Sequence, residues 1–318
     1  MEHFCTLFDS GFLPQGLALY ASLRRHANPF VLWVLCMDEV VENVFKRLAF
    51  PEVRCISLQS IETPQLLSVK EGRSGGEYCW TLTPFLPKAV MDLDPTAQRV
   101  TYIDADCYFF NDPRMIFQEM DDAKKDALIT SHDYMPQYDQ SATSGIFCVQ
   151  FMPFRRTDSG LAILSWWQER CLDWCFARFE DGKFGDQKYL DHWPELFPHA
   201  VHVLQKTQLT LAPWNALRYF DAANRKHFCM YHFQNLRVFR QGRVFLNNCY
   251  YLPRSIITQF YQPYVKELSN GMELVRHVGT ELRLLKPFKG VSRLKSLFRR
   301  LFKNEVWRSL PSTFPITL

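Results

Sequence analysis

The 318-residue chain has ten cysteines but no C-x-x-C pair, and no G-x-G-x-x-G. Nor does it contain a run of eighteen apolar residues. Each absence excludes something. Scattered cysteines, several of them (Cys36, Cys55, Cys148) inside apolar strand-like runs, argue against a zinc ribbon or a disulfide frame. They are expected as small core residues in a reducing compartment. Without the glycine fingerprint there is no dinucleotide site of the usual kind. Without a long apolar run nothing is expected to span a membrane. The opening Met1–Asp9 has neither a basic n-region nor an apolar h-region, so no signal peptide is expected and the location expected is cytoplasmic.

What is present is a globular composition, 47% hydrophobic and 15% aromatic, long enough for one large α/β core. The organising stretch is 99–113. Val100–Ile103 reads as a strand buried on both faces, and Asp104 and Asp106 follow where it ends. Asn111-Asp112-Pro113 then turns the chain. Carboxylates at the carboxyl end of a buried strand stand where open α/β sheets bind ligands. Two like charges so close call for a divalent cation, which would bridge diphosphate oxygens.

Around this stretch the chain alternates. Strands are expected at Phe4–Phe8, Phe30–Met37 and Val53–Leu58, with helices at Leu17–Leu23 and Val40–Leu48 between them. That β-α-β-α-β opening predicts a parallel, doubly wound sheet. Residues 68–76 are polar and glycine-rich and read as a loop whose Lys70 or Arg73 could meet phosphate. A helix is expected over Leu82–Met91, and strands at Ala127–Ser131 and Ser144–Val149, where Gly145 permits close backbone approach. Leu161–Phe176 has helical periodicity. His232 ends the apolar run Phe228–Tyr231, so a mixed Asp/Asp/His set would suit a Mn²⁺-like ion better than zinc. Residues 276–308 hold ten Lys/Arg against Glu281 and Glu305, about +8 in a chain whose total is +4. Within 291–306 apolar residues recur at three- and four-residue steps, which predicts a basic amphipathic helix suited to an anionic membrane surface through 286–306. The mildly acidic remainder disfavours nucleic acid.

The order of strand–Asp104-Ala105-Asp106, Ser144-Gly145, Phe184-Gly185-Asp186-Gln187-Lys188-Tyr189-Leu190, Leu211-Ala212-Pro213-Trp214-Asn215 and Tyr231-His232-Phe233 resembles a known family. It is similar to metal-dependent nucleotide-sugar glycosyltransferases of GT-A fold, above all to glycosyltransferase family 8 and the bacterial relatives that build cell-surface polysaccharide. The likeness runs over roughly 1–240. It implies a Rossmann-like α/β GT-A domain over 1–250, with a nucleotide-binding half near 1–113 and an acceptor-side half near 114–250. A helical basic extension over 251–318 would follow.

By the same resemblance, Asp104, Asp106 and His232 hold Mn²⁺ or Mg²⁺ on the diphosphate of a UDP-sugar. Asp186 and Gln187 lie beside the transferred sugar as the catalytic pair. Phe8 and Asp9 border uracil and ribose, and Trp214 and Asn215 lie toward the acceptor. Ala105, Ser144 and Gly145 fall among the donor-contacting positions, with Arg73, Arg237 or Arg240 as candidate diphosphate clamps. Two positions depart from the family. Its D-Q-D reads Asp186-Gln187-Lys188, and its H-x-x-G-x-x-K has Asn235 and Val238 at the glycine and lysine. The activity implied is retaining hexosyl transfer to a saccharide or lipid-linked acceptor in cell-surface polysaccharide or lipopolysaccharide synthesis. The protein would then be cytoplasmic and could be peripheral on the inner face of the cell membrane. Rival readings are a phosphohydrolase or sugar nucleotidyltransferase, and a non-catalytic membrane or nucleic-acid binder that uses the tail. A phosphatase of the haloacid-dehalogenase type would carry its Asp-x-Asp on the first strand, and a nucleotidyltransferase would carry a glycine-rich basic signature between Thr6 and Gly16. Neither is present.

Overall fold

The computed structural model describes residues 1–220, 228–247, 249–282 and 284–285, and the backbone of 306–309. Its first elements are β1 (Glu2–Phe8), α1 (Leu13–His26), β2 (Phe30–Cys36), α2 (Glu39–Leu48) and β3 (Val53–Ser57). The helix starts are written locally. Pro14 sits in the first turn of α1, and the Asp38 carboxylate caps α2 by accepting from Val41 N at 3.0 Å. Next come α3 (Pro64–Lys70), α4 (Gly75–Leu82), α5 (Phe85–Leu93) and β4 (Arg99–Ile103).

Where the sequence reads as a loop over 68–76, only a turn of a few residues separates α3 from α4. Thr63 caps α3, and Ser74 with Glu77 forms a reciprocal capping box that starts α4 in spite of Gly75 and Gly76. Capping outweighs the glycine content.

The chain continues through β5 (Cys107–Phe109), α6 (Arg114–Asp122), β6 (Ala127–Ser131), β7 (Phe147–Cys148), β8 (Phe151–Arg155), α7 (Asp158–Asp173) and β9 (Val201–Val203). The main sheet runs β3-β2-β1-β4-β8-β6-β7, with β9 also on β6. Its first four strands are parallel, as expected. β8 then enters antiparallel between β4 and β6, so the sheet is mixed. The single strand expected over Ser144–Val149 shrinks to Phe147–Cys148. Gly145 takes a positive φ of 109°, and Asp191 rather than a neighbouring strand accepts from Ile146 N, at 2.7 Å.

Side-chain alternation gives each face its own core. Phe4 and Phe8 of β1 face α1 and α2 with Leu32, Val34, Val41 and Phe45, whereas Cys5 and Leu7 face α4, α5 and α7 with Leu82, Leu86 and Trp167. The last described elements are β10 (Thr210–Leu211), β11 (Met230–His232), β12 (Arg237–Phe239), β13 (Arg243–Asn247), α8 (Gln262–His277) and β14 (Val306–Ser309). β5, β11 and β10 form a small second sheet, and β12, β13 and β14 a third. α8 lies against α1 so closely that a Cβ on Gly271 would stand 3.1 Å from Leu17 Cβ. The amphipathic segment expected over 286–306 lies outside the described residues, apart from the backbone of Val306. That residue is in a strand, so the extension after 251 is not helical throughout.

At Gly16 of α1 a Cβ would come within 2.2 Å of Phe8 Cζ, a ring almost wholly buried. Overpacking of this kind costs about 1–3 kcal/mol. Gly16→Val is therefore expected to lose about that much in urea unfolding. Unchanged stability would show that the ring does not lie under α1.

Candidate metal and donor site

Asp104 and Asp106 stand on a tight turn closed by Cys107 N donating to Asp104 O at 3.0 Å, with Ala105 buried between them. The turn links β4 to β5 and leaves both carboxylates on one rim. His232 is delivered by strand pairing. β11 runs antiparallel to β5 with His232 opposite Cys107, and Phe233 N donates to Asp106 O at 2.9 Å. The three side chains converge so that one ligand atom of each lies within 4.8 Å of the others. His232 Nε2 is 3.1 Å from Asp106 Oδ1 and 3.8 Å from Asp104 Oδ2.

The electrostatics of the cluster are those of an unbalanced charge. Burial lowers the His232 pKa, but the Asp106 carboxylate outweighs it and holds the imidazole well above its ordinary value. Burial likewise pushes Asp106 up, and His232, with Arg237 behind it, brings the carboxyl below its usual range. At Asp104 burial wins and the carboxyl is raised; the nearby imidazolium opposes that and the charge of Asp106 adds to it. Tyr102 OH donates to Asp104 Oδ1 at 3.0 Å. The Asp104 side chain is 28% exposed and that of Asp106 14%, so the open side of the cluster is the Asp104 side. Two hard oxygen donors and one imidazole, compact and open on one side, fit Mn²⁺ or Mg²⁺ better than zinc.

Asp186 is buried nearby. Burial, and secondarily the charge of Asp104, push its carboxyl up to about 8. Its backbone carbonyl accepts from Trp167 Nε1 at 2.8 Å, which anchors the segment to α7. Gln187 Nε2 donates to Ser144 O at 2.7 Å, so Ser144-Gly145 and Asp186-Gln187 are adjacent. Lys188, which stands for a family acid, donates to Ser141 O and Asp191 Oδ2, both at 2.8 Å. The lysine therefore braces the Ser141–Gly145 turn.

The second departure from the family is absorbed as well. Asn235 takes the left-handed φ of 67° that a glycine would take, which asparagine tolerates. Val238 is buried, so no cation stands at the lysine position. Among the three candidate arginines, Arg237 is the one whose charge reaches Asp106. Arg73 is committed elsewhere. It is buried, bonds Thr81 and donates to Leu172 O at 2.7 Å, a tie between α4 and α7.

Three donor-site expectations need correcting. Phe8 packs under Gly16 in the core, because its face of β1 is covered by α1, so its ring does not border a base. Asn215 is fully buried. Its Nδ2 donates to His132 O at 3.1 Å and Thr210 O at 3.3 Å, and its Oδ1 accepts from Ala212 N at 2.8 Å. That amide staples a turn and has no group left over for a substrate. Trp214 is buried edge-on to His232, ring centroids 5.6 Å apart, and packs against its imidazole. Asp9 remains at the exposed end of β1, where Oδ1 accepts from Gly11 N at 2.9 Å. Sequence reading missed Tyr102 and Gln150. The signal for Gln150 was a lone amide inside the apolar run Cys148-Val149-Gln150-Phe151-Met152.

No protein-family model matches the chain. The uncharacterized protein YfnF of Bacillus subtilis (strain 168) is 34% identical over 219 residues, 67% of this chain and 71% of YfnF. YfnD of the same organism is 27% identical over 290 residues, 86% of this chain and 91% of YfnD. Among solved structures, the bifunctional glycosyltransferase WbbM superposes with TM-score 0.52 at 14% identity, over 86% of this chain and 51% of WbbM. The glycosyltransferase GlyE of Streptococcus pneumoniae TIGR4 gives 0.51 at 14%, over 89% and 65%. The galactosyltransferase LgtC, solved with donor and acceptor sugar analogues, gives 0.50 at 12%, over 84% and 95%. The chain thus spans only about half of WbbM and under two thirds of GlyE, but nearly the whole of LgtC. The first relative is similar enough to settle kinship, and the solved structures settle architecture: the chain belongs to the family of YfnF and has the GT-A glycosyltransferase fold.

Proposed function

We propose that the protein is a metal-dependent glycosyltransferase that takes a hexose from a UDP-sugar and passes it, with retention, to a saccharide or lipid-linked acceptor of the cell surface. The observation that carries this reading is the convergence of Asp104, Asp106 and His232 at the end of the central sheet of a GT-A fold. Asp104, Asp106 and His232 would hold a divalent cation, which supplies Lewis-acid neutralisation of the charge that grows on a departing diphosphate. Arg237 adds fixed positive charge on the same side.

Asp186, protonated at neutral pH because it is buried beside Asp104, can donate a hydrogen bond to a sugar hydroxyl without adding a third negative charge. Gln187 is held by Ser144 O and is a poor nucleophile. The reading therefore uses front-face attack by the acceptor hydroxyl on an oxocarbenium-like sugar, with the leaving phosphate taking its proton. Among the described residues no helix is long and apolar enough to cross a membrane. Reaching a lipid-linked acceptor falls, in this proposal, to the basic segment 286–306.

The decisive assay is Mn²⁺-dependent hydrolysis of UDP-sugars without acceptor, alongside GDP- and CMP-sugars. Asp106→Asn is expected to cost at least about 100-fold, the usual loss on removing a group that stabilises developing charge. No turnover of any donor, or an unimpaired variant, overturns the reading. In product analysis by NMR the anomeric configuration of the donor is expected to be kept, and an inverted product would rule out front-face attack.

The raised carboxyl of Asp186 also has a sign in stability. Between about pH 4, where an unfolded aspartate titrates, and about 8 the native state binds the extra proton. Stability therefore falls as pH rises through that window. Asp186→Asn should flatten the fall in denaturant melts taken at pH 5 and pH 8, and an unchanged slope would place the titration elsewhere.

A further inference from the structure

A backbone carbonyl can only accept a hydrogen bond, and one such carbonyl dictates which nitrogen of His232 carries hydrogen. Thr130 and Cys148 face each other across β6 and β7, and Thr130 Oγ1 donates to Cys148 O at 3.3 Å. A hydroxyl has one hydrogen, so Thr130 can then only accept from the group on its other side. That group is the side-chain amide of Gln150, whose Nε2 lies 3.2 Å from Thr130 Oγ1. With its NH₂ so fixed, Gln150 presents Oε1 to His232 Nδ1, at 3.2 Å. An amide oxygen also only accepts. Nδ1 must therefore bear the hydrogen, in the neutral ring and in the imidazolium alike.

All three side chains are buried, Thr130 and Gln150 fully, so no solvent exchanges into the chain. Reversing the amide would set its oxygen against a hydroxyl whose hydrogen is already given to Cys148 O, leaving that buried pair of oxygens unsatisfied. Trp214, edge-on to the imidazole at an interplanar angle of 86°, limits rotation of the ring.

We propose that Gln150, set by Thr130, is a positioning residue for the candidate metal centre. It locks the Nδ1–H tautomer of His232 and so turns the Nε2 lone pair toward Asp104 and Asp106. This rests on the metal reading above. A ligating histidine works with a lone pair on one nitrogen and a hydrogen-bond donor on the other, and outer partners that enforce this typically contribute about 10–100-fold in affinity.

The test titrates Mn²⁺ by calorimetry into wild type, Gln150→Leu, Gln150→Glu, Thr130→Val and Asp106→Asn, each checked for folding by circular dichroism. Gln150→Leu is expected to bind Mn²⁺ about 10–100-fold more weakly. Gln150→Glu, which keeps an acceptor facing Nδ1, should hold wild-type affinity within a few-fold or bind more tightly. Thr130→Val, which frees the amide to reverse, should fall between. In ¹⁵N spectra of the Mg²⁺-loaded wild type His232 should show hydrogen on Nδ1 only.

A folded Gln150→Leu that binds like wild type, or a wild-type spectrum with hydrogen on Nε2, overturns the proposal. Should Gln150→Leu not fold, Thr130→Val decides, and wild-type affinity there overturns it equally. Absence of Mn²⁺ binding in wild type, or undiminished binding in Asp106→Asn, instead overturns the metal reading itself. Loss in Asp106→Asn with no effect at Gln150 confines the failure to the amide.

Discussion

The mutual repulsion of two aspartates on one turn is the constraint around which the molecule is arranged. Holding Asp104 and Asp106 on a single rim stores electrostatic energy that a folded chain tolerates only with a compensating positive group. In the protein alone that group is the imidazolium of His232. Its proton sits where the donor set would suit a divalent ion, and in the protein alone that proton balances the cluster. The charge of Arg237 falls on Asp106, and the more exposed Asp104 forms the open side, so the arrangement is asymmetric.

The same constraint explains the company the cluster keeps. A third carboxylate within reach could not also be ionised cheaply, and Asp186 is indeed driven toward its neutral form by burial and by Asp104. Lys188 is drawn to Asp191 instead of the rim, which braces the Ser141–Gly145 turn and leaves the cluster's charge unaltered. Asp186 thus sheds its charge and Lys188 pairs with a partner outside the cluster.

How much of this could be read from residues alone depends on the range of the interactions involved. The strand ending in Asp104 and Asp106, the alternating opening and His232 at a strand end were legible, because each rests on local pattern and motif order. The β8 insertion was not, since Phe151–Arg155 carries Pro153 and follows the strand-like Ser144–Val149 too closely to separate by pattern. Capping by Ser74 and Glu77 was present in the sequence, but glycine content hid it. Phe8 and Asn215 sat at positions that motif matching marks as functional and Arg73 in a glycine-rich polar stretch, and tertiary burial gave all three packing duties. Gln150 was invisible as a site residue because its meaning lies wholly in Thr130 and His232, partners from other strands.

The pairing of β5 with β11 has a consequence for synthesis on the ribosome. The donor triad is split, since two of its members leave the exit tunnel together and the third follows some 126 residues later. A nascent chain therefore carries only two of the three side chains until β11 has been made. Until His232 has emerged the two carboxylates lack their compensating charge, and the triad closes only when β11 pairs with β5.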